Sequence, residues 1–207
     1  MWKNVLRLFW VSLIVAMAAC APARVVAPSH EGRDLREYLA ARNGISEIET
    51  QFAIRFERND NDMRGDAALT ISKNGDMSLR VYSLGFLAME LSSKDGVTKS
   101  RPHIDRGRTD LLTRGLRDCL FWWDVDDYAV TDEGTRYVVR NAEREVWLSK
   151  KTLLPERQRI WLDDDKELII SYSEPEEKNG VWYQSKIRIE LMRYAVTLSV
   201  KGMAFKS

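Results

Sequence analysis

The chain has 207 residues, 44% of them hydrophobic, and its 32 Lys and Arg face 31 Asp and Glu for a net charge of +1. That length carries one domain with a real core. A charge so near balance speaks against a nucleic-acid partner and against a polybasic membrane contact.

Lys3 and Arg7 precede an uncharged run from Leu8 to Cys20. The run is shorter than the roughly 20 apolar residues of a spanning helix and has the length of a signal-peptide apolar region, about 7–15 residues. It ends in Met17-Ala18-Ala19-Cys20. This resembles the bacterial lipobox, in which a cysteine at the cut is alkylated with diacylglycerol before cleavage. The plainer alternative is a secretory signal with an incidental cysteine. The lipobox reading divides the chain into a signal peptide (1–19), a lipidated Cys20 with its tether (20–32) and a domain (33–207). The resemblance implies acylation, palmitate included. With Ala21 rather than Asp next in line, it also implies an address in the outer membrane, the domain facing the periplasm. One acyl chain anchors marginally, at about 0.8 kcal/mol per CH₂, and stable attachment takes two or more. Ala21–His30 reads as an Ala/Pro-rich spacer, roughly 30 Å long if extended at about 3.1 Å per residue. Cleavage takes Lys3 and Arg7 from the cations and nothing from the acids, leaving a net charge of about −1. With Cys20 acylated, Cys119 has no partner for an intrachain disulfide and reads as a buried thiol.

The domain opens with a short amphipathic helix: Asp34 as cap, Leu35, Tyr38 and Leu39 as the apolar stripe, Gly44 as the stop. The period then changes to two. Ile48, Phe52, Ile54 and Phe56 alternate with polar residues, and Gly65, Ala67, Leu69 and Ile71 repeat the pattern after the turn Asn59–Asp62. Such alternation marks strands with one buried and one wet face. Asn74-Gly75 is a hairpin signal leading to Met77, Leu79 and Val81, and after "SLGF" the residues Leu87, Met89 and Leu91 alternate again. A poorly defined stretch follows the turn at Lys94–Gly96. The second helix is predicted within Asp105–Trp123, where Leu111, Leu112, Gly115, Leu116, Cys119 and Leu120 recur at three- and four-residue spacing. Six further strands end the chain, with Asp163–Lys166 and Glu174–Gly180 as polar connections. About ten short strands and two or three helices imply a sandwich or barrel. The helices are too few to cover such a sheet from outside. The expected fold is therefore α+β, mainly β: a strongly curved antiparallel sheet, an incomplete barrel, with the helices on its concave side.

The succession of helix, hairpin and "GDAALTISKNGDMSLRVYSLGFLAMEL" (Gly65–Leu91) resembles the front half of the LolA/LolB superfamily of lipoprotein carriers. The back half, "VWLSKKTLLPERQRIWLDDDKELIISY" (Val146–Tyr172), is similar to its LolA branch. The likeness covers most of residues 33–205 as a pattern of strands. It implies an incomplete barrel with an apolar cavity for acyl chains. It also implies an exposed loop, of the form Pro-Leu-Gly in the LolB branch, that delivers lipoproteins to the bilayer. Leu84 occupies that leucine's place and Ser83 the place of the proline; the Trp-rich segment of the LolB branch has no good match in "FWWDVDDYAV" (Phe121–Val130).

Leu84, Phe86 and Leu87 are thus candidates for a membrane or lipid-transfer loop, although Leu87 also continues the inward parity of its strand. Phe52, Ile54, Leu69, Leu79, Met89 and Leu116 are candidate cavity-lining residues, and equally the residues of a packed core. Trp122 and Trp123 beside Asp124, Asp126 and Asp127 read as a cavity rim, an acidic cation site or a packed turn; Asp-x-Asp without the rest of a calcium loop is weak. His103 near Asp105 is the remaining base candidate, with no G-x-S-x-G elbow or metal-spaced His/Cys cluster beside it. The expectation is a non-enzymatic lipoprotein without cofactor or metal. Its partners are the outer-membrane bilayer, the acyl chains of lipids or lipoproteins, and a periplasmic LolA-like carrier. The alternative is an envelope lipoprotein that uses the same fold as an assembly or scaffolding module.

Overall fold

The computed structural model describes residues 26–58, 61–162 and 166–207; the expected signal peptide, Cys20 and Ala21 lie outside them. In chain order the elements are α1 (Leu35–Ala40), β1 (Glu47–Arg58), β2 (Asn61–Ser72), β3 (Met77–Ser83), β4 (Phe86–Lys94), β5 (Val97–Arg101), α2 (Arg106–Leu120), β6 (Ala129–Asp132), β7 (Arg136–Arg140), β8 (Arg144–Ser149), β9 (Pro155–Leu162), β10 (Lys166–Lys178), β11 (Val181–Leu191) and β12 (Tyr194–Lys206). All strands join one antiparallel sheet in the order β5-β4-β3-β2-β1-β12-β11-β10-β9-β8-β7-β6. The chain therefore walks outward from β1 to one edge, crosses to the other edge through α2, and walks back until β12 pairs with β1. A sheet that long curls, and the connection from edge to edge has the concave side to run through. Register shifts at Gln51/Phe52, Val81/Tyr82 and Trp147/Leu148 add local bends of the kind a bulge makes.

The predicted alternation holds in the strands that have a buried face. Ile48, Phe52, Ile54 and Phe56 in β1, Ala67, Leu69 and Ile71 in β2, and Met77, Leu79 and Val81 in β3 are all buried. Both helices form where their stripes predicted. Asp34 caps α1 by accepting from the Glu37 N–H at 3.0 Å, and Asp105 caps α2 by accepting from the Arg108 N–H at 3.1 Å. α2 rests on β10–β12, and Gly115 sets the distance: a Cβ there would lie 3.0 Å from Ile189 Cγ2, closer than nearly all packed carbons.

Two strands escaped the sequence reading for one reason. β5 and β6 are the sheet's edges and bury no face, so they carry no alternation. The polar stretch Glu174–Gly180 is mostly strand, not connection. β10 runs on to Lys178, and only Asn179-Gly180 turns the chain into β11. The end of the expected tether is also docked: Ala27 is buried, and the His30 N–H donates to the Lys151 carbonyl at 2.6 Å. Among the described residues the buried core and the strand pairings run from Ala27 to Lys206, so residues 26–207 hold a sheet and a core of their own. No helix among the described residues is long and apolar enough to cross a membrane.

Candidate functional site

Among the described residues, three two-residue hairpin turns take φ > 0 at both central positions: Leu84-Gly85, Asp95-Gly96 and Asn179-Gly180. Such turns favour Asn or Asp in the first place, because other side chains crowd the backbone there. Two of the three obey. The third puts a leucine at φ 51° and leaves it 95% exposed, so backbone strain and an unburied apolar side chain coincide there, as they do at Met192 (φ 52°, 76% exposed). Strain of this kind clusters at functional segments. Phe86 is 78% exposed and Leu87 54%, and Tyr82 on β3 and Met63 on the neighbouring β2 are partly exposed. The sequence predicted Leu87 to face either way. It faces out because the register shift at Val81/Tyr82 pairs Tyr82 with Leu87, which breaks the inward parity held by Met89 and Leu91. Gly65 is part of this geometry, since a Cβ there would come within 2.3 Å of the Tyr82 carbonyl oxygen.

The six candidate lining residues all point inward and all sit in one continuous core with α2 and the tryptophans. Phe52 is 1% exposed, and Leu79 and Leu116 have no accessible surface at all. No space large enough for a water molecule therefore touches Leu79 or Leu116, from outside or from within. The enclosed space among Cys119, Trp122, Trp123, Tyr172, Ile187 and Met203 is about 10 Å³, at the threshold for one water. Around these residues the concave side is packed by side chains. An open groove of about 680 Å³ is bordered by Thr70, Ser78, Ser92 and Lys99. These residues have the parity opposite to Leu69, Leu79 and Leu91, so the groove lies on the outer, polar face.

The filling comes from the segment that follows α2. Trp122 and Trp123 are buried and meet edge to face at 5.6 Å, and Phe121 meets Trp123 at 5.6 Å. Both rings are part of the core cluster. Asp124 is bound to Lys73 at 2.9 Å and to Arg117, while Asp126 and Asp127 are exposed. No group of three or more metal-type side chains occurs among the described residues. His103 is exposed, and Asp105 is occupied as the α2 cap and as acceptor from the Tyr194 hydroxyl at 3.2 Å.

The sequence reading missed the clamp at the end of α2. Asp118 is 2% exposed; its Oδ1 accepts from Arg117 at 2.8 Å and from Arg144 at 3.0 Å. Gln158 donates to the Asp118 carbonyl at 2.9 Å, and the Tyr172 hydroxyl donates to that of Cys119 at 3.2 Å. Burial and the nearby Asp118 charge push the Cys119 thiol well up, so it stays protonated and inert. A signal for the clamp was there: Asp118 lies seven residues after Leu111, on the apolar stripe, where a bare carboxylate needs partners. Arg42 is a second buried cation, held by the Tyr38 hydroxyl at 2.6 Å and lying 4.0 Å over that ring and 5.6 Å over Trp122.

An open, curved antiparallel sheet with a helix through its concave side defines the class to which the fold belongs. Among solved structures it is similar to a DUF1329 family protein from Desulfovibrio piger (TM-score 0.56, 13% identity, 87% of this chain and 94% of that one). It is also similar to a LolA superfamily protein from Nitrosomonas europaea (TM-score 0.54, 10% identity, 84% and 92%). The fold is LolA-like. No family model matches the sequence, and no curated protein is similar to it.

Proposed function

We propose that the protein is an envelope lipoprotein, anchored through Cys20, whose LolA-like domain touches the bilayer with the Leu84 hairpin and handles acyl chains of lipids or lipoproteins. The observation that carries this reading is Leu84, fully exposed at a backbone angle that suits asparagine or glycine. Moving one leucine from water into hydrocarbon contributes about 1.5–3 kcal/mol, and Phe86 a similar amount, enough for a reversible contact. The role is one of binding, not of making bonds. The anchor supplies proximity for the domain as a whole; the docked His30 lies on Lys151 in the β8–β9 turn, at the end of the sheet away from Leu84. A LolA-like carrier on the periplasmic side is the partner this role calls for, and the outer membrane its address.

An acyl chain enters the concave side only if the Trp122–Trp123 segment and α2 give way, since that space is now filled. This filling favours the second reading, a scaffolding lipoprotein that uses the fold without a cavity. Native mass spectrometry of the protein gently extracted from its own cells separates the two. Co-purified lipid supports acyl-chain handling, whereas protein that is empty, and that also fails to bind a fluorescent fatty acid, leaves the scaffold. Bilayer contact is tested apart from this by flotation of residues 26–207 with phosphatidylcholine vesicles. Leu84→Asp is expected to lower binding at least tenfold; unchanged binding rejects the hairpin as the contact.

A further inference from the structure

The two arginines buried among the described residues, each 8% exposed, are held in different ways. Arg144 is paired with the Asp118 carboxylate at 3.0 Å. Arg42, just past the end of α1, has no carboxylate partner among the described residues. Its Nη2 donates to the Tyr38 hydroxyl at 2.6 Å and to the Trp182 carbonyl at 3.3 Å. Its Nη1 reaches the Tyr38 carbonyl at 3.5 Å, and its Nε meets no acceptor among the described residues. Capping of α1 is a weak reason for the charge, because the one α1 carbonyl it reaches lies at the limit of hydrogen bonding. The faces of Tyr38, Trp122 and Trp123 lie 4.0, 5.6 and 6.0 Å from the guanidinium carbon. They attract a cation by less than burial costs it. Burial pulls Arg42 below its ordinary value; the Tyr38 hydroxyl opposes this, and the charge of Arg33 adds to it. A buried cation in this balance calls for an anion.

Arg42 stands in the wall of an open pocket of about 440 Å³ between α1 and the β10–β11 hairpin. Arg33 and His30 line the same pocket, and Glu37 is its one acid. Burial and the charges of Arg33 and Arg42 lower the His30 imidazole, so it is mostly neutral at pH 7 and the lining holds two cations against one anion. Nearby acids are engaged elsewhere or stand outside the lining: Asp34 caps α1, Glu177 accepts from the Gly180 N–H, and Glu31 is exposed. Residues 1–25 contain neither Asp nor Glu. Asp60 and Asp163 to Asp165 follow Arg58 and precede Lys166, at the far ends of β1 and β10. That is a strand length of about 30 Å or more from Gly180, well beyond the roughly 8–10 Å over which exposed charges act in salt.

We propose that this pocket binds a small organic carboxylate with a short apolar body, the carboxylate between Arg42 and Arg33 and the body against Ile45, Val181 and Trp182. One surplus positive charge in the lining suits one carboxylate better than a doubly charged phosphate. The volume lies in the lower range of small-molecule sites, which sets the short body. The pocket is at the end of the sheet opposite the Leu84 tip, since β1 and β11 begin there and β3 ends away from it. It uses none of the space around Leu79 and Leu116, so it stands or falls apart from bilayer contact and from acyl-chain handling.

The test is the melting temperature of the protein extracted from its own cells, read in potassium hexanoate, in potassium chloride of equal ionic strength, in neutral hexanamide and in inorganic phosphate. Hexanoate is expected to raise the wild-type value saturably above that in chloride, by roughly 3–6 °C at ten times the dissociation constant. Hexanamide and phosphate are expected not to. Arg42→Met is expected to melt in chloride no lower than the wild type, because an apolar replacement removes an uncompensated charge, and to lose the hexanoate response. Arg33→Gln, at an exposed position, is expected to weaken hexanoate binding roughly twofold to fivefold, and Glu37→Gln to strengthen it by a similar factor. No rise in hexanoate beyond that in chloride overturns the proposal, and so does an equal rise in hexanamide. A rise in phosphate but not in hexanoate assigns the arginines to phosphate and overturns the carboxylate. Should Arg42→Met fail to fold, the other two variants decide: a hexanoate response that neither of them changes overturns the site.

Discussion

The two ends of α2 are held by opposite means. At the C-terminal end the buried Asp118 is matched by Arg117 and Arg144, with Gln158 and Tyr172 closing the neighbouring carbonyls. At the N-terminal end three guanidinium groups surround the Tyr194 ring, and hairpin tips at that end of the sheet hold leucine and methionine out in water. A satisfied polar network stiffens a core. Exposed apolar tips are what a surface keeps for something outside the chain. The difference separates the part of the molecule built for stability from the part built for contact.

Substitutions sharpen that contrast, and the largest effect is expected at the clamp. Asp118→Ala leaves the buried Arg144 without its carboxylate and takes one of the partners of Arg117, and is expected to cost about 3–5 kcal/mol, read as a lower urea midpoint. Leu116→Ala, in the filled concave side, is expected to cost about 2–5 kcal/mol by the same measurement; a cost well below 1 kcal/mol would mean that this space is not packed. At the contact end the sign reverses. Leu84→Asn removes the left-handed strain and is expected to stabilise the domain by about 1 kcal/mol while weakening vesicle binding, so that stability and binding move in opposite directions.

The smallest effect is a pH dependence at the α2 cap. Burial raises the folded Asp105 carboxyl, but its hydrogen bonds from the Arg108 N–H and the Tyr194 hydroxyl and the charges of Arg108 and Arg58 outweigh this. They hold it below its ordinary value of 3.8, so the folded state binds its proton less readily than the unfolded chain does. The stability it contributes is fully present above that value and is lost as pH falls through the depressed one. The melting temperatures of wild type and Asp105→Asn are therefore expected to differ at pH 6 and to converge toward pH 3. A constant gap would point to lost hydrogen bonding alone.

Much of the fold was legible because burial writes itself into alternation. Leu69, Leu79 and Met89 face inward where a period of two placed them, and the α2 stripe was readable for the same reason. The edges β5 and β6 were not, since a strand without a buried face has no pattern to show. The site was half legible. Leu84 stood out beside Gly85, but the exposure of Leu87 depends on a register shift, and local sequence does not encode which residue a partner strand pairs with. Whether inward residues enclose a space or fill it is likewise a matter of three-dimensional packing, and Trp122 and Trp123, read as a rim among other options, turned out to fill it. The Arg42 pocket joins α1 to the β10–β11 hairpin, with Arg42 and Trp182 140 residues apart in the chain, so no local pattern shows it.

The most direct measurement labels the tip itself. In residues 26–207, Cys119 is buried, so Leu84→Cys provides a single reactive thiol for an environment-sensitive fluorophore. Asn74→Cys, in the β2–β3 turn at the opposite end of the sheet, provides the control. Adding phospholipid vesicles is expected to shift the emission at position 84 to the blue and to leave position 74 unchanged. An equal shift at both, or none at position 84, would contradict the claim that the Leu84 hairpin is where this domain meets the membrane.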